Sequence, residues 1–191
     1  MITEDKAALR KTAFAARKIA HGQGLDEAAN AALLKVLEDM PGAEIIAGYM
    51  PIRTEVSPLP TMTILYGQEK RICVPVITGE GQPLEFHEWV PGGEMVDGPF
   101  GAQVPKSGAV LVPDVLIMPL VAFDAKGTRL GYGGGFYDRS LEQISSCKQV
   151  KAIGFAYSAQ KMTHLPREAT DWPLDLIVTE RGANDFSTGN D

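Results

Sequence analysis

The spacing of apolar residues changes once along the chain. Before residue 41, apolar positions recur at intervals of three or four, as in helices that pack on one side. The pattern predicts one helix from about residue 3 to Ala20 and another from Asp26 to Met40, ended by Pro41 and Gly42. Later apolar runs are short and rich in β-branched or aromatic residues, which predicts strands. The predicted strands are 44–50, 71–77, 83–89, 114–123, 150–157 and 174–180.

The lengths of the connections between these strands predict the sheet. The TGEGQ segment, residues 78–82, is short enough for a hairpin, whereas several other connections are long enough for helical crossovers, which join parallel strands. We therefore expect an α/β fold with a mixed, mostly parallel sheet flanked by helices in three layers, α/β/α. The pattern contains no internal repeat or linker, so residues 1–191 are expected to form a single domain. Residues from about 184 to 191 are expected to be a flexible tail.

The composition argues against several classes of protein. A chain of 191 residues with a net charge of -6 and a pI near 5.1 does not have the basic surface that nucleic acids require, so no nucleic-acid partner is expected. The first residues lack the apolar segment of a signal peptide, and no apolar run is long enough to span a bilayer. Cys73 and Cys147 are too few for a disulfide framework and are expected to be reduced thiols. We therefore expect a cytoplasmic protein without a membrane partner.

The sequence RLGYGGGFYDR, residues 129–139, contains four glycines within five positions. It follows the predicted strand 114–123 and precedes a segment that can begin a helix. Such a place in an α/β fold binds anions, because backbone N–H groups at a helix start are free and glycine lets a phosphate approach closely. A flexible turn is the alternative, but Arg129, Asp138 and Arg139 favour phosphate and metal. The spacing is neither that of a P-loop nor that of a dinucleotide fold, since Phe136 occupies the last glycine position of the latter.

Other candidate residues lie outside this run. Lys6, Arg10 and Arg17 are four and seven residues apart, which places them on one basic stripe of the first helix. The ordinary interpretation of such a stripe is a solvated helix face. Met50 is the last residue of a predicted strand and Glu55 follows that strand, where a pocket is expected. Met50 suits a flat ring but is also a common core residue. Asp124 can cap the turn before Gly127. His21, His87 and His164 lack metal-ligand spacing.

The chain resembles the 5-formyltetrahydrofolate cyclo-ligase family, also called methenyltetrahydrofolate synthetases. The segment AFDAKGTRLGYGGGFYDR, residues 122–139, looks like the family signature. The resemblance continues in Lys6 and Arg10, in YMPIRTEV at 49–56 and in LPREATDWPLDLIVTE at 165–180. One departure is GAQVP at 101–105, where many members have G-x-x-E-P and this chain has Val104 in place of the acid.

The resemblance implies a reaction. The formyl oxygen of 5-formyltetrahydrofolate attacks the γ-phosphate of ATP, and N10 then attacks the formyl carbon. Phosphate leaves as the ring closes to 5,10-methenyltetrahydrofolate, so ADP and phosphate are released. The implied cofactor is Mg²⁺ bound with ATP, the partners are these two small molecules, and we expect a monomer. The alternative is a nucleotide- or folate-binding regulatory or storage protein on the same fold, without turnover.

The resemblance also implies site residues. The catalytic residues would be Arg129, Lys6 and Arg10, and ATP would bind Lys6, Arg10, Arg129, Leu130, Gly131, Tyr132, Gly133, Gly134, Gly135, Phe136 and Tyr137. The folate would bind Met50, Glu55, Tyr132 and Phe136, and the metal Asp138 and Asp171.

Alternatives to several of these roles remain open. Asp175 competes with Asp171 as the second acid near the metal. Asp138 is otherwise a helix cap or a partner of Arg139, and Glu55 an exposed acid beside Arg53. Arg17 is expected to be a surface residue.

Overall fold

A seven-stranded sheet lies at the centre of the molecule. The structure is a computed structural model that describes residues 2–187, with side chains from residue 6 onward. In chain order the elements are α1 (Ile2–His21), α2 (Asp26–Glu38), β1 (Ile45–Ala47), α3 (Leu59–Gly67), β2 (Arg71–Val76), β3 (Glu85–Trp89), β4 (Met95–Asp97), β5 (Gln103–Pro105), β6 (Val115–Met118), β7 (Ala122–Phe123), β8 (Arg129–Leu130), α4 (Phe136–Ser145), β9 (Lys151–Phe155), β10 (Leu176–Thr179) and β11 (Gly182–Asp185).

The central strands of this sheet are parallel and its two edges are antiparallel. The strand order is β11-β10-β9-β6-β1-β2-β3, and all neighbours from β10 to β2 pair in parallel. β3 and β11 pair antiparallel with β2 and β10. All residues of β6 and β10 are buried, as expected for strands covered on both faces. The predicted mixed, mostly parallel α/β sheet is confirmed.

Alternate residues of the strands face two apolar layers. Ile46, Val115 and Ile117 pack with buried residues of α2 and α3 such as Leu33 and Met62. On the other face, Ala47, Leu116 and Met118 pack with Leu141 and Ile144 of α4. The two helical layers and the sheet between them are the three layers that the sequence predicts.

Helix α1 packs beside the sheet on the small β7–β8 hairpin. Ala13 of α1 is fully buried against Val121, Ala122, Leu130 and Leu165, with Leu9 and Phe14 at the margin. This packing places one stripe of α1 directly against the segment that begins at Arg129. It therefore decides which side chains of α1 reach the glycine run.

Most predicted elements are present; α1 is slightly longer than predicted, whereas α2 and the strands are shorter. Both predicted helices are found, and each of the six predicted strands contains a strand. The segment 114–123 contains two strands, β6 and β7. The sequence did not predict α3, the β4–β5 hairpin, β8 or β11. Because residues 184 and 185 pair with β10, the predicted tail does not begin at 184; residues 188–191 lie outside the described part of the chain.

No helix within residues 2–187 is both long enough and apolar enough to cross a membrane.

Candidate functional site

A cavity of about 910 Å³ lies beyond the carboxyl ends of β1, β2 and β6. Ligands in α/β sheets bind at such an edge, and this volume is large enough for a small molecule. Its walls are formed by the start of α1, residues 49–55 after β1, residues 99–104 around β5, the segment 129–139 and residues 168–171. All the site residues that the family resemblance implies line this cavity.

The glycine run forms a loop between β8 and α4. Gly133 and Gly135 have φ angles of 105° and 64°, which favour glycine, and Gly135 directly precedes the first turn of α4. At Gly134 a Cβ atom would lie 2.7 Å from the ring of Phe136. The first helical residues, 136–138, line the cavity, and the N–H groups of a first helical turn have no acceptor within their own helix. The loop therefore presents a bare backbone and a positive helix end to the cavity.

Arg10 holds this loop in place. Its Nε donates a hydrogen bond to the carbonyl oxygen of Gly131 at 2.8 Å. A Cβ at Gly133 would lie 3.4 Å from Nη2 of Arg10, so the guanidinium lies directly against the loop. Arg10 thus contributes both a positive charge and a structural contact.

Lys6 and Arg129 add two further cations. Nζ of Lys6 lies 2.9 Å from Glu168 and 3.4 Å from Asp171. Burial lowers the pKa of Lys6, but the hydrogen bond to Glu168 and the charge of Asp171 outweigh burial, so the pKa is raised and the amine is charged. Nε of Arg129 and Nε of Arg139 are buried without a hydrogen-bond partner in the described part of the chain.

Asp138 and Asp171 lie on the same wall. Oδ1 of Asp138 accepts hydrogen bonds from Nη2 of Arg129 at 2.5 Å and from the backbone N–H of Trp172 at 2.9 Å. Since Trp172 follows Asp171, the second bond holds the two acidic segments together. Arg139 instead donates to the carbonyl of Gly134 at 2.7 Å, so the alternative pairing of Asp138 with Arg139 is wrong.

Two other aspartates have structural positions. The sequence offers Asp175 as an alternative to Asp171 for the second acid near the metal. However, Oδ2 of Asp175 accepts the backbone N–H of Ala152 at 2.7 Å, and Asp175 does not line the cavity. Asp124 accepts the backbone N–H groups of Lys126 and Thr128 and so caps the turn before Gly127, as the sequence predicts.

Glu55 is a buried carboxylate, with 4% of its surface exposed. Oε1 accepts a hydrogen bond from the Tyr132 hydroxyl at 2.7 Å, and Oε2 accepts the backbone N–H of Ile52 at 2.9 Å. Burial raises the pKa of Glu55, although these hydrogen bonds and the charge of Arg17 oppose the shift. The interpretation of Glu55 as an exposed acid beside Arg53 is therefore wrong. Met50 is half-buried and lines the same cavity.

The burial of Arg17 differs more from the sequence prediction than that of any other candidate residue. Arg17 is expected on the surface, yet 1% of it is exposed. Its Nε donates to the hydroxyl of Thr54 at 3.0 Å and its Nη1 to the hydroxyl of Tyr132 at 2.9 Å. The seven-residue spacing from Arg10 was the available signal, because it places Arg17 on the stripe of α1 that faces the loop.

Further residues in the cavity wall were not assigned from sequence. They are Arg53, Phe100, Gln103, Val104 and Glu142, among others. Val104, which stands where the family pattern has an acid, is therefore an apolar part of the wall.

Comparison with known proteins decides the family. A model of the 5-formyltetrahydrofolate cyclo-ligase family matches residues 2–180. The chain belongs to the 5-formyltetrahydrofolate cyclo-ligase family. The 5-formyltetrahydrofolate cyclo-ligase of Haemophilus influenzae is 38% identical over 143 residues, which cover 71% of this chain and 76% of that protein. The Escherichia coli K12 enzyme is 36% identical over 143 residues, covering 72% and 78%.

Solved structures of this family have the same fold. The NMR structure of Aquifex aeolicus 5,10-methenyltetrahydrofolate synthetase matches with a TM-score of 0.77 and 29% identity, over 97% of this chain and 95% of that one. A 5,10-methenyltetrahydrofolate synthetase from Mycoplasma pneumoniae matches with a TM-score of 0.75 and 29% identity, over 92% and 99%. The predicted family resemblance is confirmed. The activity of 5-formyltetrahydrofolate cyclo-ligases is an ATP-dependent cyclisation.

Proposed function

We propose that this cavity converts 5-formyltetrahydrofolate and ATP to 5,10-methenyltetrahydrofolate, ADP and phosphate, with the residues described above in specific roles. The observation that carries the proposal is the meeting of two different sites in one cavity. A glycine loop at a helix start, flanked by Arg10 and Arg129, lies beside the buried carboxylate of Glu55. The first suits phosphates and the second suits a ring that carries N–H donors.

ATP binds along the glycine loop in this proposal. The triphosphate lies against the backbone of 131–135 and the first turn of α4, where the helix dipole favours negative charge. Arg129 and Lys6 add positive charge, and the unpartnered Nε of Arg129 is a donor available to a phosphate oxygen. Arg10 combines its charge with its hold on Gly131.

Asp138 and Asp171 fit the requirements of Mg²⁺ on a nucleotide. Such an ion takes one or two protein carboxylates and completes its coordination with phosphate oxygens and water. The described hydrogen bonds of Asp138 go to Oδ1 and those of Asp171 to Oδ2, so the other oxygen of each carboxylate remains for a cation. When bound, Mg²⁺ would neutralise charge on the β- and γ-phosphates.

The folate occupies the part of the cavity near Glu55. A pterin ring presents adjacent N–H donors, which one carboxylate can accept together. Met50, Tyr132 and Phe136 provide apolar and aromatic surface for the flat ring. Tyr132 belongs to the glycine loop and also donates to Glu55, so it joins the two substrate sites.

The reaction then depends on alignment and charge. The formyl oxygen attacks the γ-phosphorus and ADP leaves, which gives an imidate phosphate. N10 attacks the formyl carbon and releases its proton, and phosphate leaves as the five-membered ring closes. Phosphoryl transfer requires positioned substrates and positive charge where negative charge develops, which Arg129, Arg10 and Lys6 supply. Because the phosphate accepts the formyl oxygen, no covalent enzyme intermediate is required.

Absorbance spectroscopy tests this function directly. Purified protein is mixed with 5-formyltetrahydrofolate, ATP and MgCl₂, and the absorbance of the methenyl product near the border of the ultraviolet and visible ranges is followed while ADP is measured separately. We expect product and ADP in equal amounts, and neither when ATP is omitted. Binding of both ligands without product would instead indicate a binding protein on this fold.

A further inference from the structure

Arg17 lies behind the wall of the cavity. The side chain does not line the cavity, but Tyr132 and Glu55, with which it interacts, do. Two aromatic rings flank its guanidinium, with the Phe14 centroid at 5.1 Å and the Tyr132 centroid at 5.8 Å from Cζ. A buried cation is costly unless it is paired and hydrogen-bonded. The partners of Arg17 therefore indicate what it does.

A directed chain of hydrogen bonds links Arg17 to Glu55. Nη1 of Arg17 donates to the hydroxyl of Tyr132, and that hydroxyl donates to Oε1 of Glu55. Because a guanidinium cannot accept a hydrogen bond, the single hydroxyl hydrogen of Tyr132 must go elsewhere, and Glu55 is the acceptor at 2.7 Å. Nη1 of Arg17 also lies 4.0 Å from Oε1 of Glu55. Arg17 thus orients the donor and adds a positive charge beside the carboxylate.

Several charged or titratable groups surround Glu55. Tyr49 follows β1, Tyr132 lies in the glycine loop, Tyr137 in α4, Arg53 in the same segment as Glu55, and Arg17 in α1. Only the two arginines in this set are cations. Arg53 is exposed, so solvent screens its charge, whereas Arg17 is buried and acts through a medium of lower dielectric constant.

We propose that Arg17 is a positioning residue for 5-formyltetrahydrofolate, which holds Glu55 as a charged and oriented acceptor for the pterin edge. The inference rests on the proposed function, in which Glu55 binds the pterin. ATP depends less on Arg17, because Arg10 holds the glycine loop independently through Gly131.

Arg17→Met tests the proposal, since methionine keeps much of the apolar stem but removes the charge and the donors. We expect the KM for 5-formyltetrahydrofolate to rise about tenfold near neutral pH and the KM for ATP to change less than about twofold. Without Arg17 the pKa of Glu55 rises further, so the acidic limb of kcat/KM moves to higher pH and alkaline buffer restores folate affinity. Lys18→Met, an exposed lysine on the same helix, is the matched control and is expected to behave as wild type.

A purely structural role predicts a different result. Arg17→Met would then lower the melting temperature and affect both substrates alike, with no recovery at higher pH. That outcome, or an unchanged KM for 5-formyltetrahydrofolate in a folded variant, would overturn the inference.

Combination with Glu55→Gln separates this inference from the proposed function. If Arg17 acts through Glu55, adding Arg17→Met to Glu55→Gln raises the folate KM by less than about twofold, because the two effects share one interaction. Wild-type folate affinity in Glu55→Gln alone would refute the role of Glu55 itself. If Glu55→Gln raises the folate KM and the effects of the two substitutions on that KM multiply, only the role of Arg17 is refuted.

Arg17→Lys provides the test if Arg17→Met does not fold. Lysine keeps the charge but loses the planar fork that donates to Thr54 and Tyr132 at once. We expect the folate KM to rise about threefold, with the acidic limb at its wild-type position because the charge remains. An unchanged folate KM in this variant would overturn the proposal.

Discussion

Arg129 and Asp138 form an ion pair in the wall of the cavity, with 6% and 19% of their side chains exposed. Arg129 belongs to β8 and Asp138 to the first turn of α4, so the pair joins the two ends of the glycine loop. The same aspartate oxygen accepts the backbone N–H of Trp172. One carboxylate therefore orients a cation, anchors the segment that carries Asp171 and lies beside the proposed metal position.

Asp138→Asn is predicted to separate these roles. An amide oxygen can still accept the N–H of Trp172, but the charge opposite Arg129 and the proposed metal ligand are lost. We expect a stability loss of about 1–2 kcal/mol from the largely buried pair and a decrease in kcat of roughly 100-fold or more. Thermal melts measure the loss of stability, and methenyltetrahydrofolate formation by the same preparation measures kcat. Normal turnover with unchanged magnesium dependence would remove Asp138 from the metal site.

Gly134→Val is predicted to weaken ATP binding without unfolding the protein. A Cβ at this position would lie 2.7 Å from the ring of Phe136, so the side chain must displace that ring or enter the space above the loop. We expect the Kd for ATP, measured by calorimetry, to rise about tenfold or more. Gly42→Val is the control, because nothing lies within 4 Å of its added Cβ. Equal ATP affinity in the two variants would mean that the glycine loop is only a turn.

Glu55→Gln is predicted to impair folate binding and leave ATP binding largely intact. The amide keeps the shape but loses the charge that would strengthen hydrogen bonds from the pterin in the proposed site, so we expect the Kd for 5-formyltetrahydrofolate to rise about tenfold. Isothermal calorimetry with each substrate measures the two affinities. Similar folate affinity in wild type and variant would place the pterin elsewhere.

The ionisation of Glu55 also predicts a pH dependence. Burial raises the pKa of this carboxyl, and the pterin contact that we propose for it needs the charged form. Folate affinity is therefore present above that raised pKa and is lost as the pH falls through it. The KM of the wild-type protein for 5-formyltetrahydrofolate is expected to increase as the pH falls. The KM of Glu55→Gln is expected to lack this increase. Steady-state kinetics across a pH series on both proteins checks the difference, and identical profiles would contradict it.

Lys6→Gln is predicted to raise the KM for ATP about tenfold, because it removes the charged donor that we propose for a phosphate of ATP. Loss of Lys6 also leaves Glu168 and Asp171 without their cation, which adds negative charge beside the triphosphate. Lys11→Gln, an exposed lysine on the same helix, is the control and is expected to retain wild-type kinetics. A similar, small effect in both variants would assign Lys6 to the solvated helix face.

Thiol labelling is predicted to modify one cysteine and to leave activity intact. Burial raises the pKa of Cys73 to about 12, so this thiol does not react at neutral pH, whereas Cys147 is exposed on the surface. Neither cysteine lines the cavity. Titration of the native protein with a chromogenic disulfide, followed by an activity assay, checks both statements. Inactivation in step with labelling would indicate a thiol in the mechanism.

The elements that the sequence predicts correctly have local signals. Runs of β-branched residues between Pro, Gly and Asp identify the central strands, because burial on both faces requires continuous apolar residues. Helix α3 has no one-sided apolar pattern, and β8 has only two residues, so neither stands out from its local sequence. Strand β11 exists because β10 provides an edge with which it can pair.

The sequence by itself indicated the family, the α/β class and the residues of the glycine loop, because the motif is contiguous and the backbone at Gly133 and Gly135 favours glycine. Only the tertiary structure decided the partners of the charged side chains. Asp138 pairs with Arg129 rather than with the adjacent Arg139. Arg17 is buried by contacts 37 and 115 residues away in the chain. Electrostatic pairing depends on distance in space and on burial, and neither can be read from neighbouring positions.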